Sequence, residues 1–371
     1  MGCIAPVYRP RDAEHTVLHQ VVALHLEAFL GAVAEASDGA GLPQFVEREF
    51  REFLTCGVFE GGVAQFRCEG CAREHLVPFS CKGRGWCPSC GGRRMTERAA
   101  HLVDAVLPRV PVRQWVLTVP YRLRYQMAWD HGLSRAVLGV YARVLRDVFA
   151  RGARERGIRD GRTGMVTVMQ RAGSGLNLHA NVWVAANDRA GLERLCRYVL
   201  RPPFAQERLR LRDDGRVALE LKTAWHDGTR ELVFEPLEFL ERLAAITPRS
   251  ETNLLICHGV LAPRARWRRR VVAYGRAVPD PANASGSAAA LAPAPDGMGE
   301  QPKPHAWTWA ALMHRAFAID VLACPHCGGR LRLIATLHDP AVIRKILAHL
   351  GIAPSGPSPG PAPPESGAAA S

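Results

Sequence analysis

Along residues 13–36 the apolar positions Leu18, Val21, Val22, Leu26, Phe29 and Val33 recur at helical spacing, which predicts an amphipathic helix with one face turned to a core. Residues 96–107 read as a second helix, closed by Pro108, since proline cannot donate the next helical hydrogen bond. The mostly apolar run 114–120 predicts a short strand. A long helix is expected over 133–156, with Val137, Tyr141, Val144, Leu145 and Val148 on one face. Residues 165–170 and 181–185 predict two more strands, and residues 189–200 a helix that stops before Pro202-Pro203. Segments 216–221 and 231–234 predict a hairpin around Asp227-Gly228. Residues 306–350 read as helical around a Cys-x-x-Cys pair, with Trp307 and Trp309 at their start. There is no internal repeat.

Composition refines this picture in three places. The chain has 371 residues, enough for two or three domains, and its 47% hydrophobic and 22% charged content excludes wholesale disorder. Residues 278–305, rich in Ala, Pro, Gly and Ser, are expected to be a disordered linker, and 353–371 a disordered tail. No apolar run is expected to reach the roughly 18 residues of a membrane span. The first eleven residues lack a basic-then-apolar signal pattern, so the expected setting is cytoplasmic and without a membrane. With Lys+Arg at 48 against Asp+Glu at 35, the net charge is +13. That excess favours a polyanionic partner, because neutralising phosphates releases condensed counterions.

The eleven cysteines carry the sharpest signal. Cys68-Glu-Gly-Cys71 and Cys87-Pro-Ser-Cys90 are separated by fifteen residues, a spacing suited to one four-cysteine zinc site. Two residues between thiolates let both sulfurs of a tight turn reach one ion, and a second such turn completes the tetrahedron. In a reducing compartment metal explains these thiols better than a disulfide cluster does. A module this small gains folding free energy directly from its ion. Cys81 is either a further thiol of that site or a packed residue, and His75 either competes as a ligand or is solvated. Cys324-Pro-His-Cys327 looks like one knuckle without its mate, which borrows ligands from elsewhere in the chain or from a second subunit, or is a relict turn. Arg84, Arg93 and Arg94 lie beside the cysteines, and Arg264, Arg266, Arg268, Arg269 and Arg270 surround Trp267. Both arrangements suit a DNA backbone, the second single-stranded DNA with stacked bases; the alternative is a pair of solvated faces.

Several segments together resemble one family. Residues 79–95 (FSCKGRGWCPSCGGRRM), 111–120 (PVRQWVLTVP), 201–209 (RPPFAQERL), 258–263 (HGVLAP) and 324–329 (CPHCGG) are similar, in order, to the rolling-circle insertion-sequence transposases of the IS91-like and ISCR group. The resemblance implies an α+β chain. Its parts would be an N-terminal helical region (1–50), a zinc-ribbon module (51–95), a Rep-like HUH domain of antiparallel sheet with flanking helices (96–277) and a small C-terminal Cys-x-x-Cys segment (306–352). It also implies DNA as partner and single-strand nicking by a tyrosine, aided by Mg²⁺ or Mn²⁺ held by two histidines. A metal ion polarises the phosphate and orients it, and a phenol, whose free pKa is near 10, needs that help to attack.

Carried over by resemblance, the nucleophile is Tyr198, and the second tyrosine of two-tyrosine members is Arg194 here. The His-hydrophobic-His motif is expected just after residues 173–178, where this chain reads His179-Ala-Asn181-Val-Trp183, and no His-x-His occurs anywhere in it. The simplest account is an internal deletion near 178/179 that removes the metal-binding strand and truncates the sheet; the other is point substitution of both histidines. Nicking is therefore expected to be severely reduced or absent.

Overall fold

The computed structural model describes residues 12–120, 122–123, 126–127, 130–169, 177–179, 182–272 and 308–351. The expected linker and tail, Asn181 and Trp307 lie outside the described residues. The described helices are α1 (Val17–Ala36), α2 (Gln44–Leu54), α3 (Pro88–His101), α4 (His131–Glu155), α5 (Arg189–Leu200), α6 (Pro236–Ile246), α7 (Arg268–Val271), α8 (Trp309–Phe317) and α9 (Pro340–His349). The strands are β1 (Val63–Cys68), β2 (Glu74–Pro78), β3 (Val112–Arg113), β4 (Val116–Thr118), β5 (Gly164–Val168), β6 (Asn177–His179), β7 (Trp183–Val184), β8 (Leu209–Leu211), β9 (Val217–Glu220), β10 (Glu231–Phe234), β11 (Leu255–Gly259) and β12 (Leu331–Leu337).

The chain divides into two compact units, and the first gathers residues up to Gly92, Pro202–Glu251 and the segment from Met313 onward. Helix α1 begins where Thr16 accepts the His19 N–H on its hydroxyl, an N-cap that satisfies one orphan donor of the first turn. Its buried face (Leu18, Val21, Val22, Leu26, Phe29) packs with Val46 and Phe50 of α2 and with Phe239, Leu240 and Leu243 of α6. Trp86 is fully buried in this core, its ring centroid 5.0 Å from that of Phe50 and 4.6 Å from that of Phe53. The meander β8–β9–β10 contributes Leu209 and Val217 to the same core. The expected hairpin is present as β9–β10, with Gly228 at φ 88° in its connection.

Two expectations change in this unit. Helix α1 is long and apolar enough to cross a membrane by length and composition, contrary to the expectation that no segment reaches that length. Its buried side chains Leu18, Val21, Val22, Leu26 and Phe29 belong to the core just described. The C-terminal segment is not helical throughout: the alternation Leu331-Arg-Leu-Ile-Ala-Thr-Leu forms β12, which pairs antiparallel with β1. The resulting sheet has the order β12–β1–β2. Its apolar backing is a small cluster of Val63, Leu76, Ile343 and Leu347, the last two from α9.

The second unit comprises Arg93–Arg201 and Thr252–Leu312. Its strands form antiparallel pairs: β5 with β11, β3 with β7 and β4 with β6. The core gathers Ala99, Leu102, Val103 and Val106 from α3 and the π turn that continues it, Val184 from β7, and Leu192 and Cys196 from α5. Arg189, at the start of α5, donates to the carbonyls of Val103, Leu107 and Pro108. Those are carbonyls left without helical partners at a helix C-terminus, so one guanidinium closes one helix and anchors the next.

Candidate metal centres and tyrosine

Eight cysteines assemble into two groups of four, Cys56/Cys81/Cys87/Cys90 and Cys68/Cys71/Cys324/Cys327, with the sulfurs of each group all within 4.8 Å of one another. The single site expected from Cys68, Cys71, Cys87 and Cys90 is thus not what forms. Each Cys-x-x-Cys pair contributes two ligand positions, and the other two come from elsewhere. The β1–β2 hairpin directs Cys68 and Cys71 toward the C-terminal segment, while Cys87 and Cys90, at the start of α3, face the core side of α2.

In the first group the Sγ atoms of Cys56 lie 3.6 Å from Cys87 and 3.8 Å from Cys90, and Cys81 lies 3.4 Å from Cys90. A zinc–sulfur distance of about 2.3 Å in a tetrahedron places sulfurs about 3.8 Å apart, whereas a disulfide would bring them to about 2.05 Å. The thiols of Cys56, Cys87 and Cys90 are buried and Cys81 is partly so. Contacts within the set, those with Cys56 first, hold Cys90 below the ordinary thiol range and push Cys81 and Cys87 above it. Four sulfurs this close cannot all ionise unless a cation offsets their charge. The loop carrying Cys81 is fixed by Glu49 of α2, whose carboxylate accepts the backbone N–H groups of Arg84 at 3.2 Å and Gly85 at 2.8 Å. A Cβ at Gly83 would lie 2.5 Å from the Glu49 Oε1 and 3.2 Å from the Cys81 sulfur, so a side chain there would displace the Glu49 carboxylate.

In the second group Cys68 lies 3.5 Å from Cys327 and Cys71 lies 3.9 Å from Cys324. This site is more open, with Cys71 half-buried and Cys327 exposed. The Cys68 thiol is held down at about 7, chiefly by the backbone N–H of Cys71, with that of Gly70 adding to it against the opposing effect of burial. Cys81, read from the sequence as a further thiol or a packed residue, takes its place in the first set, while Cys56 is not legible as a ligand from Cys-x-x-Cys spacing. The signal available was numerical, since eight clustered or paired thiols make two complete tetrahedra. Among the described residues the cysteines form no disulfide.

Tyr198 stands on α5 and is 52% exposed, with the Arg201 guanidinium 4.0 Å above its ring. Arg201 also donates to the Tyr198 carbonyl at 2.7 Å. Strand β6, which carries His179, pairs with β4 so that His179 faces Val116 across the ladder. Trp183 on β7 is 57% exposed and pairs with Arg113. Among the described residues, the groups of three or more His, Cys, Asp or Glu placed to share an ion are the two cysteine sets, and neither includes a residue of α5, β6 or β7.

Arg84 is engaged by the carbonyls of Arg249 and Ser250. Arg93 is exposed and Arg94 half-buried on α3. Around Trp267, Arg266, Arg269 and Arg270 are exposed, and the Arg270 guanidinium sits 4.7 Å over the indole. Arg268 instead donates to the Leu261 carbonyl and so is turned back to the backbone.

Residues 26–119 match the family model of a transposase zinc-binding domain, and residues 126–269 match a transposase family model. Six of the eight clustered cysteines fall within the first match, whereas Cys324 and Cys327 lie beyond both. Comparison with curated proteins and with solved structures yields no match.

Proposed function

Because the chain belongs to the IS91-type transposase family, we propose that it binds the DNA ends of a rolling-circle insertion sequence in the bacterial cytoplasm, with zinc shaping the module that grips DNA. The observation that carries this reading is the succession of a zinc-binding match and a transposase match, the first enclosing a four-thiol set with tetrahedral spacing. The basic excess and the exposed arginines around Trp267 support a strand held by its phosphates with bases stacked on the indole.

In the family's chemistry Tyr198 would be the residue that attacks the scissile phosphate, leaving a 5′-phosphotyrosine and a free 3′-hydroxyl, and the loss of the metal-binding histidines is expected to silence it here. Its exposure and the Arg201 cation over its ring suit a phosphate brought close. The divalent ion of such chemistry does not fit the residues present. No His-x-His occurs in the sequence, Trp183 offers no ligand atom, His179 offers one at most, and among the described residues the groups placed to share an ion are the two cysteine sets. The absent motif favours a second reading in which the family's sheet is truncated by a deletion and the protein is a DNA-binding remnant without nicking activity.

One assay separates the two readings. The chain is incubated with single-stranded oligonucleotides carrying the element ends and Mg²⁺ or Mn²⁺, beside Tyr198→Phe. We expect binding that weakens steeply with salt, and no covalent adduct. Substituting Arg266 or Arg269 by Ala is expected to lower the salt slope by about 1 each. An adduct abolished by Tyr198→Phe would restore full transposase chemistry. Salt-independent or absent DNA binding would instead favour a zinc ribbon that recognises protein.

A further inference from the structure

We propose that Cys68, Cys71, Cys324 and Cys327 form a second zinc site, which fastens β12 and α9 onto the zinc-binding domain from the far end of the chain. The proposal concerns the metal content and closure of the first unit and does not rest on DNA binding or on Tyr198.

The four sulfurs stand at metal-ligand spacing. Cross-pair separations of 3.5 and 3.9 Å match the edge of a zinc–thiolate tetrahedron, about 3.8 Å, and are far too long for disulfides. The two turns that present them are built alike. In one, the Gly70 N–H donates to Cys68 Sγ at 3.3 Å and the Cys68 N–H to the Arg73 carbonyl at 2.8 Å. In the other, the Gly329 N–H donates to Cys327 Sγ at 3.4 Å and the Cys324 N–H to the Gly329 carbonyl at 2.7 Å. Backbone N–H groups aimed at sulfur stabilise the thiolate, the form a metal binds.

The glycines show how tightly the turns are opposed. A Cβ on Gly329 would lie 3.1 Å from Cys68 Sγ and 3.2 Å from Cys327 Sγ, and one on Gly70 would lie 3.5 Å from Cys327 Sγ. A side chain at position 329 would therefore press on the ligand sulfurs, whereas one at position 70 would make an ordinary contact. Outside the set, His75 Nε2 stands 3.5 Å from Cys324 Sγ, where an imidazole N–H orients a ligand sulfur from behind.

The strands then follow from the knuckles. Strand β1 runs into Cys68, whose register partner is Leu331 at the start of β12, and the Glu69 N–H donates to the Arg330 carbonyl at 2.9 Å. The apolar backing of this pairing is only the small cluster around Val63 and Ile343. So little buried area offsets the loop-closure entropy of joining segments 259 residues apart only in part, and a metal bound solely in the closed form supplies the remainder. Four thiolates select zinc among the common divalent ions.

The test counts metal on the full chain. Elemental analysis is expected to find two zinc ions per chain, and one in the double variant Cys324→Ser, Cys327→Ser. Should that variant fail to fold, the unaltered chain decides. Titration with Co²⁺ is expected to saturate at two equivalents with intense sulfur-to-cobalt absorption. Graded chelation is expected to remove the exposed site's ion first, opening residues 318–351 to protease while α1 and α2 stay protected. One metal per chain, or two retained by the double variant, would overturn the proposal.

Discussion

The two cysteine sets share a ligand type and a geometry but differ in what surrounds them. Cys56, Cys81, Cys87 and Cys90 come from one short stretch and are walled by Trp86, Phe50 and Phe53. Cys68, Cys71, Cys324 and Cys327 come from two distant stretches and reach the surface at Cys327. The difference teaches that a thiol tetrahedron acts through its context. Within a core it is part of the packing that makes the fold, while at an edge it joins pieces that the core does not hold.

The largest effect that sharpens this contrast is expected from Cys87→Ser combined with Cys90→Ser. Removing two core ligands should abolish the cooperative melting of the first unit and release its ion, as read by circular dichroism and metal analysis; retained cooperative melting would erase the distinction between the sets. Next, Trp86→Ala should cost about 3–5 kcal/mol, because it empties a fully buried site, measured as a shift of the urea midpoint. Glu49→Ala should cost about 1–3 kcal/mol, since it leaves the Arg84 and Gly85 N–H groups without their acceptor. That variant should also speed zinc loss to a chelator from the first set alone. Smallest in stability, Gly329→Ala should leave the melting of the core unchanged and weaken metal binding at the second set about tenfold, through the Cβ pressed on Cys68 and Cys327. Competition with a chromophoric chelator reads it; an equal effect on both sets would break the comparison.

Much of the local structure was legible because local pattern dictates it. The α1 stripe, the Pro-closed α5 and the turn at Asp227-Gly228 are short-range signals, and the residues that carry them are adjacent in the chain. The pairing of knuckles was not legible. Spacing tells that Cys68 and Cys71 share an ion but not which partner completes it, and the nearest pair in sequence, Cys87 and Cys90, is held by Cys56 and Cys81 instead. The strand β12 was missed for the same reason. Its alternation over Leu331–Leu337 was present, but its partner β1 lies near the other end of the chain, and the neighbouring helices drew the whole segment toward a helical reading.

The β1–β12 pairing also ties the module to the order of synthesis. Cys68 emerges from the ribosome 259 residues ahead of Cys327, an interval of about 13–50 s at about 5–20 residues per second. Through that interval β1 has β2 on one side and an open edge on the other, with Cys68 and Cys71 unaccompanied. A message or a chain cut short before residue 324 leaves that edge open for good, a template for pairing with other nascent chains.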